Sequence, residues 1–423
     1  MKTTELLEYV LSGELDERLA DIYGAEATDG QRQRYVGAIC EFRDIYGERE
    51  VELFSVPGRS EISGNHTDHN HGRVLAGSIN LDIIAVASKT DDSVVRIKSK
   101  GFDEDCVDIS TYTEPNENDY FKSNALIAGM ARAFSQIGLK TGGYVAYTTS
   151  NVFKGSGLSS SAAFEVMIGN MFNHLYNEGC VDNVEIAKMA QFAENKFFGK
   201  PCGLMDQVAC AVGGFVAIDF ENPSAPVIEK IALDLSKRGY SLCIVNTGGN
   251  HADLNEDYAS VPREMKAVAS FFGKSVLREL DMATVVAKIP ELREAVGDRA
   301  ILRAIHFFNE NERVDIQRNA LKNGDLDTFF EYVLKSGRSS YMYLQNVFTT
   351  KNVQEQGLSL ALALTDTTIT DGAFRVHGGG FAGTIQAFVS NTQVAAYKQK
   401  IDTAFGEGSC HILRIRPYGA IKV

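Results

Sequence analysis

The sequence predicts an α+β protein built as two lobes. The prediction rests on a length of 423 residues, a hydrophobic fraction of 44%, and segments of helical and of strand periodicity mixed along the whole chain. This length corresponds to about two or three domains and is ample for a large buried core. Mixed helices and strands without an internal repeat are typical of this class. The segment ENPSAP at 221–226 suggests a boundary near residue 220, which divides the chain into 1–220 and 221–423.

The predicted elements follow from hydrophobic periodicity. Residues 1–50 carry apolar side chains at helical spacing and predict two or more amphipathic helices. Further helices are expected over 121–138, from Ser159 onward, over 183–198 up to the Gly199–Pro201 break, and through most of 262–346. Strands rich in β-branched residues are expected at 51–59, 74–89, 93–100, 144–150, 213–220, 240–247 and 411–417, with two more around a glycine turn within 374–390. Residues 60–73 are expected to form a polar loop.

Composition excludes several classes of protein. Fifty-five acidic against 42 basic residues argue against a main role in binding nucleic-acid phosphates. The seven cysteines are scattered and form no C-x-x-C pair, so we expect reduced thiols rather than disulfides or a cysteine-based zinc site. The N-terminus is acidic and lacks a signal-peptide core, and no apolar run approaches the roughly 18 residues of a membrane helix. We expect a soluble, cytoplasmic protein, monomeric, with no membrane partner.

A glycine- and serine-rich segment, GSGLSSSAA at 155–163, separates a predicted strand from a predicted helix. Its two glycines allow close backbone approach, and the free N–H groups at a helix start attract an anion, most naturally phosphate. The alternative is an ordinary serine-capped helix. The G-K-S at 273–275 lacks the first glycine of a P-loop, and the G-x-G-x-x-G at 378–383 leads into a strand rather than a nucleotide-binding helix. That second segment predicts a glycine turn, either near a ligand or purely structural.

The segment PGRSEISGNHTDHNHG at 57–72 concentrates three of the eight histidines around Asp68. A metal site is one interpretation, although the spacing matches no closed zinc site. A polar loop that hydrogen-bonds a hydroxyl-rich ligand, with Arg59 as a fixed positive charge, is another. A solvated surface loop is the third.

Two carboxylates stand out in ENKFFGKPCGLMDQ at 194–207. Glu194 lies at the edge of an apolar helical stripe, where it needs either Mg²⁺ or a basic side chain as partner. Asp206 lies in an apolar stretch after a Pro-Cys-Gly break. It is either a helix N-cap or a functional carboxylate.

Together these segments resemble the GHMP family of small-molecule kinases, and among them the galactokinases. Residues 57–72 resemble the signature G-R-x-N-x-I-G-E-H-T-D-Y-x-x-G, and residues 155–163 resemble the family's phosphate-binding motif. VHGGGFAG at 376–383 resembles its third, glycine-rich motif, and PCGLMDQ at 201–207 resembles the segment with the catalytic aspartate. The order and spacing also agree, so the resemblance covers about residues 30 to 420.

The resemblance implies a two-lobed GHMP kinase fold. Its N-terminal lobe would be like domain 2 of ribosomal protein S5, its C-terminal lobe a GHMP-type α+β unit, and its active site would lie in the cleft between them. It also implies ATP-dependent phosphorylation of the C1 hydroxyl of galactose. Asp206 would lie beside that hydroxyl as base or electrostatic partner, and Arg59 would pair with Asp206 and steady the transferring phosphoryl group.

The same resemblance implies the ligand contacts. The sugar hydroxyls would be held by His66, Asp68, Tyr258, the backbone of Gly203 and position 65, where Asn65 replaces the glutamate expected at the C6 hydroxyl. The triphosphate would be wrapped by Gly155, Ser156, Gly157, Leu158, Ser159, Ser160 and Ser161. Mg²⁺ would be contacted by Ser161 and Glu194.

Several positions depart from the family pattern, mainly around the sugar. Besides Asn65, the signature's asparagine is Glu61 and its tyrosine is His69, while Phe153 replaces a proline and Gly337 a histidine. These changes leave open a kinase of another sugar, such as N-acetylgalactosamine, arabinose or another hexose. A non-catalytic sugar and ATP sensor is a further alternative, which the complete serine–alanine segment disfavours.

Overall fold

The computed structural model describes residues 1–153, 157–249 and 254–423. Gly155 and Ser156 of the predicted phosphate loop therefore lie outside the described residues. The helices, which are mixed with strands along the chain as predicted, are α1 Thr3–Leu11, α2 Asp16–Tyr23, α3 Thr28–Tyr46, α4 Ser123–Gln136, α5 Ser160–Asn177, α6 Asn183–Phe192, α7 Met205–Val212, α8 Asn255–Phe271, α9 Met282–Val286, α10 Ile289–Ala295, α11 Asp298–Asn323, α12 Leu326–Ser339, α13 Gly357–Asp366 and α14 Val394–Phe405.

The strands form two sheets. They are β1 Glu52–Ser63, β2 Arg73–Lys89, β3 Val94–Ser99, β4 Glu104–Asp108, β5 Tyr144–Ser150, β6 Phe215–Asp219, β7 Val227–Ile231, β8 Tyr240–Asn246, β9 Gly372–Val376, β10 Thr384–Ser390, β11 Cys410–Leu413 and β12 Ile421–Lys422. The first sheet has the order β12-β1-β2-β5-β3-β4, with β6 paired to the long strand β2 and β7 paired to β6. The second has the order β11-β8-β10-β9.

The first sheet is covered on both faces because its strands alternate apolar side chains. Leu53 and Ile84 pack with helices α1 to α3, whereas their neighbours Phe54 and Ala85 pack with helices α4 to α7. This is the period of two that a strand imposes on its side chains. The N-terminal residues 1–50 thus form the amphipathic helices that the sequence predicts, and they close one side of the sheet.

A third hydrophobic cluster joins the two sheets. It includes Ile62 and Leu75 of the first sheet, Ile244 and Phe388 of the second, and Phe329 of α12. The second sheet also packs against α13 and α14 through Val245, Ile385 and Tyr397. The division near residue 220 stays a prediction; the first sheet extends past it to β7 and receives β12 from the C-terminus.

Some predicted boundaries were wrong. The polar loop was expected to begin at residue 60, but β1 continues to Ser63, so Glu61 and Ile62 are strand residues. The pattern failed there because this end of β1 is buried on both faces, with Ser60, Ser63 and Glu61 enclosed beside Ile62. Strands β4, β7 and β12 were also missed. β4 and β7 are short and carry polar residues on both faces, and β12 has only two residues near the end of the chain.

All seven cysteines are free thiols, as predicted. Across the part of the chain that the structure describes, we find no helix with the length and apolarity needed to cross a membrane.

Candidate active site

The centre of the candidate site is an ion pair between Arg59 and Asp206. Arg59 lies in β1 directly after an irregularity in the pairing with β2, and Asp206 lies in the first turn of α7. The Nε and Nη2 atoms of Arg59 donate to the two carboxylate oxygens of Asp206, each at 2.8 Å. A two-pronged contact fixes both groups in one plane. The structure thereby brings together two predicted residues that are 147 positions apart.

The predicted phosphate loop joins the same pair. Arg59 donates through Nη1 to the carbonyl of Gly157, and the hydroxyl of Ser159 donates to Asp206. The backbone N–H of Arg59 donates to the carbonyl of Leu158 at 3.1 Å. A side chain at Gly58 would place its Cβ 2.7 Å from that carbonyl, so glycine is needed for this approach.

The serine-rich helix start is not an ordinary capped one. Ser159 stands at the N-cap of α5 with a left-handed φ of 58° and makes no side-chain cap bond. Its hydroxyl contacts Asp206 instead. Ser160 and Ser161 open the helix, and Ser161 is exposed. The first-turn N–H groups of such a helix carry partial positive charge beside Arg59.

The electrostatics keep Asp206 ionised. Burial alone would raise its pKa, but the charge of Arg59 and the hydrogen bonds from Arg59 and Ser159 outweigh burial and hold the pKa below its usual range. The Arg59 side chain is 9% exposed and that of Asp206 33%. A carboxylate that is both charged and reachable can bind a hydroxyl group of a ligand. Since Leu204 rather than Asp206 occupies the N-cap of α7, the N-cap interpretation was wrong.

Residues of the 57–72 segment line two cavities, whose walls also include Met205 and Leu204, the two residues before Asp206. A cavity of about 110 Å³ is lined by Glu61, Asn65, His66, Asp68 and Gly379, among others. A second, of about 340 Å³, is lined by Asp68, His69 and Gly203. Because Asp68 and His69 line both, the two cavities adjoin. Four of the five residues predicted to contact the sugar line these cavities, namely Asn65, His66, Asp68 and Gly203.

The histidines of this segment do not form a metal site. Among the described residues, no group of three or more histidine, cysteine or acidic side chains could hold a metal ion. His66 instead contacts the carbonyl of Gly379 through Nε2 at 2.9 Å. This contact ties the 57–72 segment to the glycine-rich segment at 376–383. Burial lowers the pKa of His66 to about 4, so the ring is neutral and donates to that carbonyl.

Tyr258, the fifth predicted sugar contact, lies behind the glycine turn. Its hydroxyl donates to the carbonyl of Gly380 at 2.9 Å. A Cβ at Gly379 would lie 2.7 Å from its ring, so the ring presses against the backbone that lines the smaller cavity. The structure therefore places Tyr258 beside the cavity wall rather than among the lining residues.

Glu194 has a lysine partner. It lies in a π-helical turn, Ala193–Phe198, that continues α6. Its Oε1 accepts from Lys200 at 3.0 Å and its Oε2 from the side-chain amide of Gln207 at 2.8 Å. The same amide donates to Glu165 at 3.2 Å. Burial, followed by the nearby charge of Glu194, raises the pKa of Glu165 well above its usual value.

Oxygen atoms without partners remain beside Glu194. Oε1 of Glu165 and Oε1 of Gln207 are buried and make no hydrogen bond within the described part of the chain. One carboxylate oxygen and one amide oxygen without partners, next to the carboxylate of Glu194, suit a hard cation such as Mg²⁺, which is commonly held by one or two protein carboxylates together with phosphate oxygens. The residues present therefore fit such an ion.

Sequence reasoning missed His377. Its Nδ1 lies 2.9 Å from the hydroxyl of Thr384, and its buried Nε2 has no hydrogen-bond partner among the described residues. A side chain on Gly157 would meet the His377 ring at 3.4 Å, so this imidazole faces Gly157 of the predicted phosphate loop. A histidine before three glycines gives no signal in one sequence, because only the fold brings β9 to the loop.

A larger cavity lies elsewhere. It has a volume of about 730 Å³ and is lined by Phe381, Ala382 and parts of 247–249 and 349–360. None of the predicted site residues that the structure describes lines it. The candidate site is therefore the smaller pair of cavities beside Arg59 and Asp206.

Buried histidines predict a loss of stability in acid. Burial lowers the pKa of His66 and His306 to about 4 and that of His377 to about 3. An unfolded histidine titrates near about 6.5. Between these values the unfolded chain binds more protons than the folded one, so the free energy of unfolding falls as the pH falls. We expect a loss of about 2 kcal/mol per histidine between pH 7 and pH 5.

Urea unfolding at the two pH values measures this loss. His306→Gln should reduce the difference between them, because one depressed titration is removed. Equal stability of the parent protein at both pH values would contradict the prediction.

Two family models match the chain. The GHMP kinases N terminal domain matches residues 125–214, which include the predicted phosphate loop and Asp206. The galactokinase galactose-binding signature matches residues 40–89, which include Arg59 and the cavity-lining segment.

Galactokinases from two bacteria match most of the chain. A galactokinase from Streptomyces coelicolor is 30% identical over 380 residues, 88% of this chain and 94% of that protein. A galactokinase from Actinobacillus pleuropneumoniae is 32% identical over 365 residues, covering 84% of this chain and 90% of the relative. Among solved structures, Lactococcus lactis galactokinase complexed with galactose superposes with a TM-score of 0.75 at 24% identity, over 90% of this chain and 98% of that one. The predicted two-lobed GHMP kinase fold is confirmed.

Proposed function

The chain belongs to the galactokinase family of GHMP kinases, and on that premise we propose that it transfers the γ-phosphoryl group of ATP to the C1 hydroxyl of galactose. The observation that carries the proposal is the convergence of two distant segments, β1 and the start of α5, on the carboxylate of Asp206 in α7. Asp206 receives a guanidinium from β1 and a hydroxyl from the start of α5, beside two cavities lined by polar side chains.

Phosphoryl transfer to an alcohol requires mainly positioning and charge neutralisation. In the proposed reaction the C1 hydroxyl donates a hydrogen bond to Asp206 and is thereby oriented toward the γ-phosphorus. Arg59, fixed by Asp206 and by the Gly157 carbonyl, supplies positive charge to the phosphoryl oxygens. The new bond forms between the sugar oxygen and phosphorus, the bond from phosphorus to the ADP oxygen breaks, and the hydroxyl proton passes to Asp206.

The lowered pKa of Asp206 sets the timing of that proton. A weakly basic carboxylate does not deprotonate a free sugar hydroxyl, whose proton is held far more tightly. The hydroxyl becomes acidic only as its oxygen bonds to phosphorus. In the proposed mechanism Asp206 therefore orients the nucleophile first and accepts its proton late, which suits a loose transition state.

The ligand contacts follow from the same geometry. His66 and Asp68 would bind the sugar hydroxyls together with the Gly203 backbone, and Tyr258 would support the wall at Gly379. Gly157 to Ser161 would surround the triphosphate at the start of α5, with Gly155 and Ser156 expected to extend the same loop. Ser161 and Glu194 would hold Mg²⁺, the ion that neutralises charge on the phosphate oxygens when bound.

A different sugar is the second candidate, and the contact between Glu61 and Asn65 favours testing it. The exchange of carboxylate and amide at these two positions changes the wall of the smaller cavity. Because hydroxyl preference depends on which groups line this wall, a related hexose, N-acetylgalactosamine or arabinose remains the alternative substrate class.

A panel of sugars tests the proposal. ADP release is measured with galactose, glucose, N-acetylgalactosamine and arabinose, each with and without Mg²⁺. We expect the highest kcat/KM with galactose and no release without sugar or without Mg²⁺. A higher value for another sugar would move the substrate to that sugar, and no turnover with any of them would refute a sugar kinase.

A further inference from the structure

Asn65 occupies the position where the family signature has its sugar-binding glutamate, but its amide is engaged by the protein. Its Nδ2 donates to Glu61 at 2.9 Å and to the carbonyl of Gly378 at 2.8 Å. Its Oδ1 accepts from Asn346 at 2.8 Å and from Ser340 at 3.3 Å. An amide can make about four hydrogen bonds, so this one has no capacity left for a ligand. Asn65 therefore ties the 57–72 segment to the glycine-rich segment at 376–383.

Glu61 is the carboxylate that remains at this wall. It is 7% exposed, and it lines the smaller cavity together with His66 and Asp68. Within the described part of the chain, one hydrogen bond reaches it, from Asn65, and the buried guanidinium of Arg375 lies 3.7 Å away. A carboxylate can accept about four hydrogen bonds, so Glu61 retains capacity to accept from a ligand.

Residues 61 and 65 have exchanged their side-chain types relative to the signature. The signature has asparagine at the first position and glutamate at the second, whereas this chain has Glu61 and Asn65. Their direct contact shows why the exchange is tolerated: the pair keeps one carboxylate, one amide and the hydrogen bond between them. The carboxylate is thereby moved from the loop onto the strand β1.

The position on β1 determines which part of a sugar Glu61 can reach. Arg59 and Glu61 are two residues apart in a regularly paired stretch, opposite Ser78 and Ala76. Side chains two apart on a strand lie on one face, about 7 Å from each other. That separation is close to the length of a hexose. With C1 held at Asp206 and Arg59, Glu61 is placed at the opposite end of the ring.

We propose that Glu61 is a specificity-determining residue, whose carboxylate accepts a hydrogen bond from the hydroxyl at C4 or C6 of the sugar. Asn65 orients that carboxylate and Arg375 balances its charge. The inference rests on the proposed function, because it takes C1 to be the reacting position. It assigns to strand β1 a contact that the family pattern assigns to the following loop.

Glu61→Gln, combined with deoxy sugars, tests the assignment. KM, kcat and the calorimetric Kd are measured with galactose and with its 2-deoxy, 4-deoxy and 6-deoxy derivatives. We expect Glu61→Gln to weaken galactose binding about 10- to 100-fold, since a charge-assisted hydrogen bond is lost. With the derivative that lacks the bound hydroxyl, 4-deoxy or 6-deoxy, the same substitution should change affinity less than about threefold.

The 2-deoxy sugar and Ser340→Ala are the matched controls. The C2 hydroxyl lies next to C1, so the full loss caused by Glu61→Gln should persist with 2-deoxygalactose. Ser340→Ala removes a different hydrogen bond from Asn65 and should leave sugar affinity unchanged.

The outcomes separate the two proposals. An equal loss with all four sugars, or no loss with any, would overturn the role of Glu61 while the parent protein still phosphorylates galactose. Failure of the parent protein to phosphorylate galactose would overturn the proposed function, and the assignment of Glu61 with it.

Discussion

Asp206→Asn should lower kcat for galactose phosphorylation by about 1,000-fold or more while changing the Kd for galactose less than about threefold. The amide keeps the size of the carboxylate and one acceptor oxygen for Arg59, so the cavities keep their shape. It cannot accept the proton of the C1 hydroxyl, and it no longer offsets the charge of Arg59. The loss is therefore confined to the chemical step. Single-turnover rates and sugar calorimetry measure the two parts separately.

Asp219→Asn is the matched control for that substitution. Asp219 is also a carboxylate paired with arginines, Arg73 and Arg278, but it lies at the end of β6, and its hydrogen bonds come from these two side chains and the backbone of Glu221 rather than from Arg59 or Ser159. Its kcat should equal that of the parent protein. An Asp206→Asn variant with more than a tenth of the parent kcat would contradict the proposed role of Asp206.

Arg59→Lys should lower kcat by about 100- to 1,000-fold, even though the positive charge is retained. Arg59 donates to both oxygens of Asp206 and to the Gly157 carbonyl at once. A single ammonium group cannot span these three acceptors in one plane. We therefore expect both the carboxylate and the phosphate loop to lose their fixed positions. Steady-state kinetics with varied ATP and galactose measures the effect.

Arg73→Lys provides the comparison for Arg59→Lys. Arg73, on the neighbouring strand β2, also bridges two acidic side chains, Asp219 and Asp315. Its side chain is 28% exposed. Its replacement should leave kcat unchanged, because it contacts neither Asp206 nor the loop. If both substitutions lowered kcat equally, the effect would belong to general loss of packing, and the role assigned to Arg59 would be wrong.

Local patterns in the sequence were sufficient for most of the fold. The strand predicted at 144–150 is β5 with the same bounds, and the helix predicted over 183–198 is α6 with its π-helical continuation. These elements have clear periodicity and clear ends. Ser60 to Ser63 were misassigned to a loop because polar side chains on a strand look exposed, whereas here they bond to Gln386 and Glu310 from other elements.

The candidate site was predictable as a set of residues but not as a set of contacts. Motif spacing indicated Arg59, Asp206 and the serine-rich loop, and the structure brings them together. Motif spacing did not indicate that the hydroxyl of Ser159 would donate a hydrogen bond to Asp206, or that His377 would face Gly157. Both depend on the packing of segments tens to hundreds of residues apart, and a single sequence carries no record of such pairs. The sequence showed that Glu61 departs from the family signature, but the role proposed for it could be argued only from its contact with Asn65 in the structure.

The identity of the phosphorylated product tests the central claim most directly. ³¹P and ¹H NMR are recorded on the complete reaction of ATP, Mg²⁺ and galactose, with ADP quantified in the same sample. If one carboxylate, one guanidinium and the helix start surround the anomeric oxygen, a single sugar phosphate should accumulate, coupled to H1 and equal in amount to ADP. Phosphate coupled to another ring position, or inorganic phosphate formed in step with ADP, would contradict the account.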